Sequence, residues 1–369
     1  MGKRELLLIA AFLVAGAIVY HVSSPPPAPG ERSFSVGQLV EDFRRHIRGN
    51  RASADVTRTS SHPVDPATTE VRLGLRSAEI TIVGEERADI GAEMRVHSTG
   101  YDDAEAQQLA QQTALKVDRA GPRLAFSIDY PKNASQTVQL TLKVPARLQV
   151  TIDSNRGKLD VRGVNSVKID QRGDTTLERI EKTITGNQRG GTLAVTVAGA
   201  IRIVMSGTDA RLEQIRGEAN VNARSGGELK GKDIVGPIDI DSAGTDITLE
   251  KMERTTGMLR INASSGSLSV KGIRTEGRID VRGTDVEVVV DRAAPLAIYS
   301  EGDSPVEITP PAGGYQLDAV AANAGISVPD GIVRVTTSGE EHRAAGPVNG
   351  GGPTITIRTS HGEIRVKNP

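Results

Sequence analysis

From residue 148 to the end, short runs of alternating apolar and polar residues are separated by glycine turns. In one unit Val150 and Ile152 alternate with polar residues, Asn155-Arg156-Gly157 turns, and Leu159 and Val161 alternate again. The pattern recurs as Val167/Ile169, Gly173 and Leu177/Ile180, and as Ile201/Ile203, Gly207 and Leu212/Ile215. It recurs as Ile238/Ile240, Gly244 and Ile247/Leu249, and ends as Ile355/Ile357, Gly362 and Ile364/Val366. Period-two alternation marks strands with one buried face. The glycines Gly157, Gly173, Gly190, Gly207, Gly226, Gly244, Gly266, Gly283, Gly302 and Gly325 punctuate the runs at roughly 20-residue intervals. A unit of that length holds two short strands and two turns. Stacked units bury one another's apolar positions, as in solenoids. The pattern therefore predicts an all-β fold, a parallel β-solenoid of about ten coils over 146–369. Antiparallel hairpins are the rival, but most of these turns lack the Asn-Gly or Asp-Gly pair that tight hairpins favour.

Upstream, Val71/Leu73/Leu75, Ile80/Ile82, Ile90–Val96, Leu124–Tyr130 and Val138–Val144 also alternate. One helix interrupts them, expected over Asp102–Leu115, with Asp102 and Asp103 at its positive end. Residues 69–145 thus read as a strand-rich cap containing one helix, covering the first coil of the stack. Gly339–Gly352, rich in glycine and charge, reads as a mobile loop, an insertion before the closing coil.

The N-terminus has a different texture. Leu6–Val22 is uncharged, and Lys3 and Arg4 precede it. It reads as a transmembrane signal anchor over 1–22 with a cytoplasmic N-terminus, which places the body outside the cytoplasm, periplasmic or extracellular. Secretion after signal cleavage is the rival, since Ala15-Gly16-Ala17 has a small-x-small pattern. A Pro-rich linker and a short amphipathic helix, Ser35–Arg48, occupy 23–68.

Composition narrows the chemistry. The 369-residue chain carries 45 basic and 46 acidic residues, so a nucleic-acid footprint is absent. It has no cysteine, which excludes disulfides, thiolate metal sites and catalytic thiols. Aromatics are 2% of residues and tryptophan is absent, an unpromising stock for gripping sugars in a catalytic groove.

Three segments carry a resemblance: EVRLGLRSAEITIVG with the acidic helix YDDAEAQQLAQQTAL, then LTLKVPARLQVTIDSNRGKLDVRG, then AGPVNGGGP with TITIRTSHGEIRVK. Over about Thr69 to Lys367 the chain resembles the bacterial putative-adhesin family of β-strand-repeat proteins, a domain of unknown function in cell envelopes. The resemblance implies a solenoid-like fold on an exported, often membrane-tethered protein. It implies no catalytic residues.

Two columns of candidate residues emerge when the units are aligned. Arg156, Arg172 and Arg189 each precede a turn glycine and would stack as a basic ladder. Such a ladder suits an anionic polymer, a phosphate-bearing glycan or lipid headgroups. The plainer reading is self-neutralisation by Asp153 and Asp170. Asp153, Asp170, Asn222, Asp241 and Asn262 form the second column, read as Asx side chains bonding turn backbone rather than as a cation site. Gly226–Asp233 nearly matches a phosphate-binding loop, but Asp233 replaces the Ser or Thr and no helix follows. No catalytic, cofactor-binding or metal residues are assigned, and no cofactor. The expected function is a non-enzymatic membrane-tethered envelope protein presenting a solenoid surface for adhesion or binding. Its expected partners are the membrane, through the N-terminal helix, and an envelope glycan or protein, with no nucleic acid. An accessory role in envelope-stress sensing through a membrane partner is the second reading, and a glycan-active solenoid enzyme the third.

Overall fold

The computed structural model describes residues 52–131 and 136–369. The expected anchor, the Pro-rich linker and the Ser35–Arg48 helix lie outside the described residues. Among the described residues no helix is long and apolar enough to cross a membrane. The described chain forms two compact units. Among the described residues one comprises 52–56, 97–112, 130–131 and 136, and the other comprises 57–96, 113–129 and 137–369.

The smaller unit holds the α-helix Asp103–Gln112. Asp102 starts it by accepting the Glu105 N–H at 2.8 Å, and Glu105 reaches back to the Tyr101 N–H at 2.7 Å. The Asp102 carboxylate thus caps an orphan donor of the first turn, and Glu105 ties the preceding residue to it. Ala106 and Ala110 are the buried face. The helix ends before Leu115, short of its expected end. Residues Ala114–Ala120, which alternate through Leu115 and Val117, instead form a strand antiparallel to Arg123–Asp129 in the larger unit.

The larger unit is an all-β parallel solenoid of two facing ladders. On one face the ladder runs through Gln149–Arg156, Ser166–Arg172 and the second halves of Thr175–Arg189 and Thr192–Ser206. It continues through Ala219–Arg224, Ile238–Ala243, the first halves of Leu259–Ile273 and Gly277–Val290, and Leu296–Glu301. The chain thus makes about eight consecutive turns, in parallel register throughout, fewer than the ten coils expected. The opposite face runs from Leu159–Arg162 to Val306–Thr309 through Asp209–Ile215, Glu228–Ile234 and Asp246–Glu250. Hence Glu228–Lys232, inside the near-match to a phosphate-binding loop, is an ordinary ladder strand.

The core lies between the faces. Val150, Val167, Ile184, Ile201, Ala219, Ile238 and Leu259 are successive register partners, all buried. Aligned aliphatics fill the space so that few aromatics are needed. At one corner the chain turns through a left-handed residue without leaving the ladder. Gly163, Arg179, Val197, Gln214, Asp233, Lys251 and Gly272 occupy equivalent positions there, all with positive φ, Val197 at 59°. A β-branched residue in this region is uncommon.

Spatial order departs from chain order at both ends. Near the N-terminus, Glu70–Gly74 lies between Arg123–Asp129 and Gln149–Arg156, and Glu79–Glu85 lies between Gln136–Pro145 and Leu159–Arg162. Near the C-terminus, Thr354–Thr359 lies between Leu296–Glu301 and Tyr315–Ala322, and Ile364–Val366 lies between Val306–Thr309 and Ile326–Ser327. The last unit in sequence is therefore the penultimate coil in space. This explains the shortfall: Gly325 and Gly362 count as repeats in sequence but belong to coils that do not follow on in order. Gly339–Gly352 is not a loop throughout. Glu341–Val348 is a strand, antiparallel to Tyr315–Ala322 and to Val335–Ser338.

Candidate binding surface: a stacked arginine column

The structure sets Arg156, Arg172 and Arg189 in direct register on three successive coils. All three are exposed. Neighbouring parallel strands lie about 4.8 Å apart, so three guanidinium stems leave one face within about 10 Å. The Gly157 N–H donates to the Arg172 carbonyl at 3.1 Å, and the Gly173 N–H to the Arg189 carbonyl at 3.4 Å. Each glycine turn is thereby tied to the arginine of the next coil. Glycine is required at Gly173, where φ is 113° and an added Cβ would lie 2.9 Å from the Gly157 carbonyl oxygen.

The residues before the arginines hold these turns from inside. Asn155, Gln171 and Gln188 are register partners with 1%, 1% and 0% exposure. Asn155 exchanges two hydrogen bonds of 3.2 Å with the Ala78 backbone. Gln171 Nε2 donates to the Gly157 carbonyl at 2.5 Å. Gln188 Nε2 donates to the Gly173 carbonyl and, at 3.0 Å, to the Gly190 carbonyl, while its Oε1 accepts from Thr175 Oγ1 at 2.9 Å. The amide N–H groups of these side chains fix the turns that carry the arginines, while the buried Gln171 Oε1 has no partner among the described residues. Their signal is present in the chain as Asn-Arg-Gly, Gln-Arg-Gly and Gln-Arg-Gly. Alternation alone conceals it, because an amide occupies a position where the pattern anticipates an aliphatic.

The charge partners differ along the column. Arg189 pairs with Asp170 at 3.1 Å. Asp153 pairs with Arg72, not with Arg156, and this contact holds the Arg72 guanidinium above its ordinary pKa. Among the described residues the side chains of Arg156 and Arg172 make no ion pair. One other like-charged pair on the solenoid is neutralised individually. Arg211 and Lys230 are adjacent in register, yet Arg211 pairs with Glu213 and Lys230 with Glu228, each at 2.7 Å. The column ends where Ser206 replaces arginine on the next coil.

The second candidate column is partly rearranged. Asp170, Asn222, Asp241 and Asn262 do share one ladder, but Asn187 and Val204 lie between Asp170 and Asn222, and Asp280 continues it. Asp153 sits where the register shifts. These side chains emerge from mid-strand, so the bonds are side chain to side chain: Ser154 to Asp170 at 3.0 Å and Arg224 to Asn222 at 2.9 Å. The Asx-turn reading does not describe them. Among the described residues no group of three or more His, Cys, Asp or Glu is placed to hold a metal ion. In the repeat region Tyr315 is buried, and the half-exposed Tyr299 lies under the Arg278 guanidinium at 4.7 Å.

Two facing parallel ladders, glycine-punctuated turns and interleaved end coils define a strand-repeat solenoid. The profile of the Toastrack DUF4097 family matches residues 68–367, and the chain belongs to that family. No curated protein matches it. Among solved structures, a putative cell adhesion protein from Clostridium sporogenes is similar at 12% identity, over 85% of this chain and 100% of that one, with a TM-score of 0.18. A putative lipid binding protein from Parabacteroides distasonis is similar at 11% identity, over 86% and 97%, with a TM-score of 0.28. A putative adhesin from Bacteroides fragilis is similar at 11% identity, over 85% and 97%, with a TM-score of 0.23.

Proposed function

We propose that this is a membrane-tethered protein of the cell envelope whose solenoid binds an anionic polymer through the Arg156, Arg172 and Arg189 column. The observation that carries the reading is the stacking of three like charges with only Arg189 paired. Like charges directly opposite one another on neighbouring strands destabilise a sheet. An external polyanion removes that repulsion and gains contacts at coil spacing. Phosphate-bearing glycans and anionic headgroups share the required chemistry. The turns are held by buried amides, so the arginine backbones need little ordering on binding.

Full-length protein in detergent, titrated with a polyglycerol phosphate chain, tests this. Binding should weaken as salt rises. Replacing all three arginines with glutamine should lower affinity at least about tenfold, an energy of about 1.4 kcal/mol. Replacing Arg211, Lys230 and Arg254 instead should leave affinity within about twofold. Equal affinity of the two triple variants would remove the arginine column from the binding site. The tether and export come from Leu6–Val22 behind Lys3 and Arg4. Protease added to spheroplasts with the outer envelope opened and the cytoplasmic membrane intact should therefore digest the solenoid, and digestion only after lysis of that membrane would refute the exported placement.

A further inference from the structure

The C-terminal coil lies in a slot between two walls of the solenoid. One wall is Leu296–Glu301 and Val306–Thr309, and the other is Tyr315–Ala322 and Ile326–Ser327. Both walls precede the occupant in sequence. The occupant presents Ile355, Ile357, Ile364 and Val366 to the core, all buried. Outward, Arg358 pairs with Asp318 on one wall, while Lys367 at 2.5 Å and Arg365 at 3.3 Å pair with Glu307 on the other. The slot thus reads backbone register, apolar spacing and charge at once.

The inserted coil at the other end is different. Glu70–Glu85 has chain on both sides, so it cannot leave without drawing the neighbouring coils with it. Thr354–Val366 contains the last strand among the described residues and is joined to Val348 through Asn349, three glycines and Pro353. Gly350 and Gly351 have φ of 89° and 78°, a tight bend that extension of the linker would release. Five extended residues reach about 17 Å.

We propose that this slot is an exchange site whose partner is a second copy of this chain, with the 354–366 coil of each copy filling the slot of the other. Every contact of the closed form recurs in the exchanged form, since the same residues meet the same walls. Only the path of residues 349–353 changes, and concentration decides between the two forms.

The absence of native cysteine permits a direct test. Ala297 and Thr356 are register partners on adjacent strands, both half-exposed, at a separation a disulfide spans. A full-length chain carrying both Ala297→Cys and Thr356→Cys should crosslink internally on oxidation, which shows that the slot is filled as described. Separate full-length chains carrying Ala297→Cys alone and Thr356→Cys alone are then mixed, incubated a few degrees below unfolding, and oxidised. Mass spectrometry of the linked peptides should find the 297–356 bond between chains, in a yield that rises with protein concentration. A control mixture of Ala194→Cys and Arg211→Cys, register partners inside the eight-turn body, should give at least tenfold less of its bond. Exchange is overturned if the two mixtures give equal yields, or if the double variant fails to crosslink internally.

Discussion

The left-handed corner places its sharpest demand on Val197, whose φ is 59°. Outside glycine this conformation costs about 1–2 kcal/mol. Val197→Gly should therefore stabilise the protein by about 1 kcal/mol after the added chain entropy is deducted, seen as a higher urea midpoint with unchanged slope. Gly186 is the opposite case. Its φ is 126°, and a Cβ there would lie 1.9 Å from the Ile169 carbonyl oxygen. Gly186→Ala should cost at least about 2 kcal/mol by the same measurement. Gln188→Leu leaves Thr175 Oγ1 and two glycine carbonyls without their buried partner, at a cost of about 1–3 kcal/mol. Glu307 gives a pH signature. Its hydrogen bonds with Lys367 and Arg365 hold its carboxyl below the ordinary 4.5. A depressed carboxyl stabilises the folded state above the unfolded value and loses that effect as pH falls through the folded one. The difference in melting temperature between wild type and Glu307→Gln should therefore be present at pH 7 and shrink progressively as pH falls below 4.5. The pair is exposed, so the difference should be small.

At the scale of elements, strand identity was legible in the sequence and strand order was not. Alternation at Val150/Ile152 or Ile355/Ile357 fixes which residues face inward, because a strand has only two sides. It carries no information on which strand lies beside which. The Ile355/Ile357 strand therefore reads as the next coil after Gly325, whereas it lies between Leu296–Glu301 and Tyr315–Ala322. The arginine column was legible because each member adjoins a turn glycine. Its amide supports were obscured, since Gln171 and Gln188 fill core positions with polar groups that only their bonds to glycine carbonyls make acceptable. The corner column was invisible for another reason. Arg179, Gln214, Asp233 and Lys251 share a backbone conformation but no side-chain type.

At the scale of the molecule, consecutive turns repeat the same contacts, so their number is adjustable in whole units. Deleting residues 219–237 removes the chain between Ala219 and its register partner Ile238. The shortened protein should fold cooperatively with one turn fewer, and circular dichroism should retain the β signal. Deleting residues 219–227 alone removes one face of that turn and should abolish cooperative unfolding. The ends are not interchangeable in this way. Ala114–Ala120 runs against Arg123–Asp129, and Glu341–Val348 runs against Tyr315–Ala322. A parallel ladder left bare would offer each incoming molecule the same evenly spaced donors and acceptors that its own coils use, and so would grow into a fibre. An antiparallel strand presents a different spacing to the outside. Those two reversals of direction give an otherwise endless lattice a finite length.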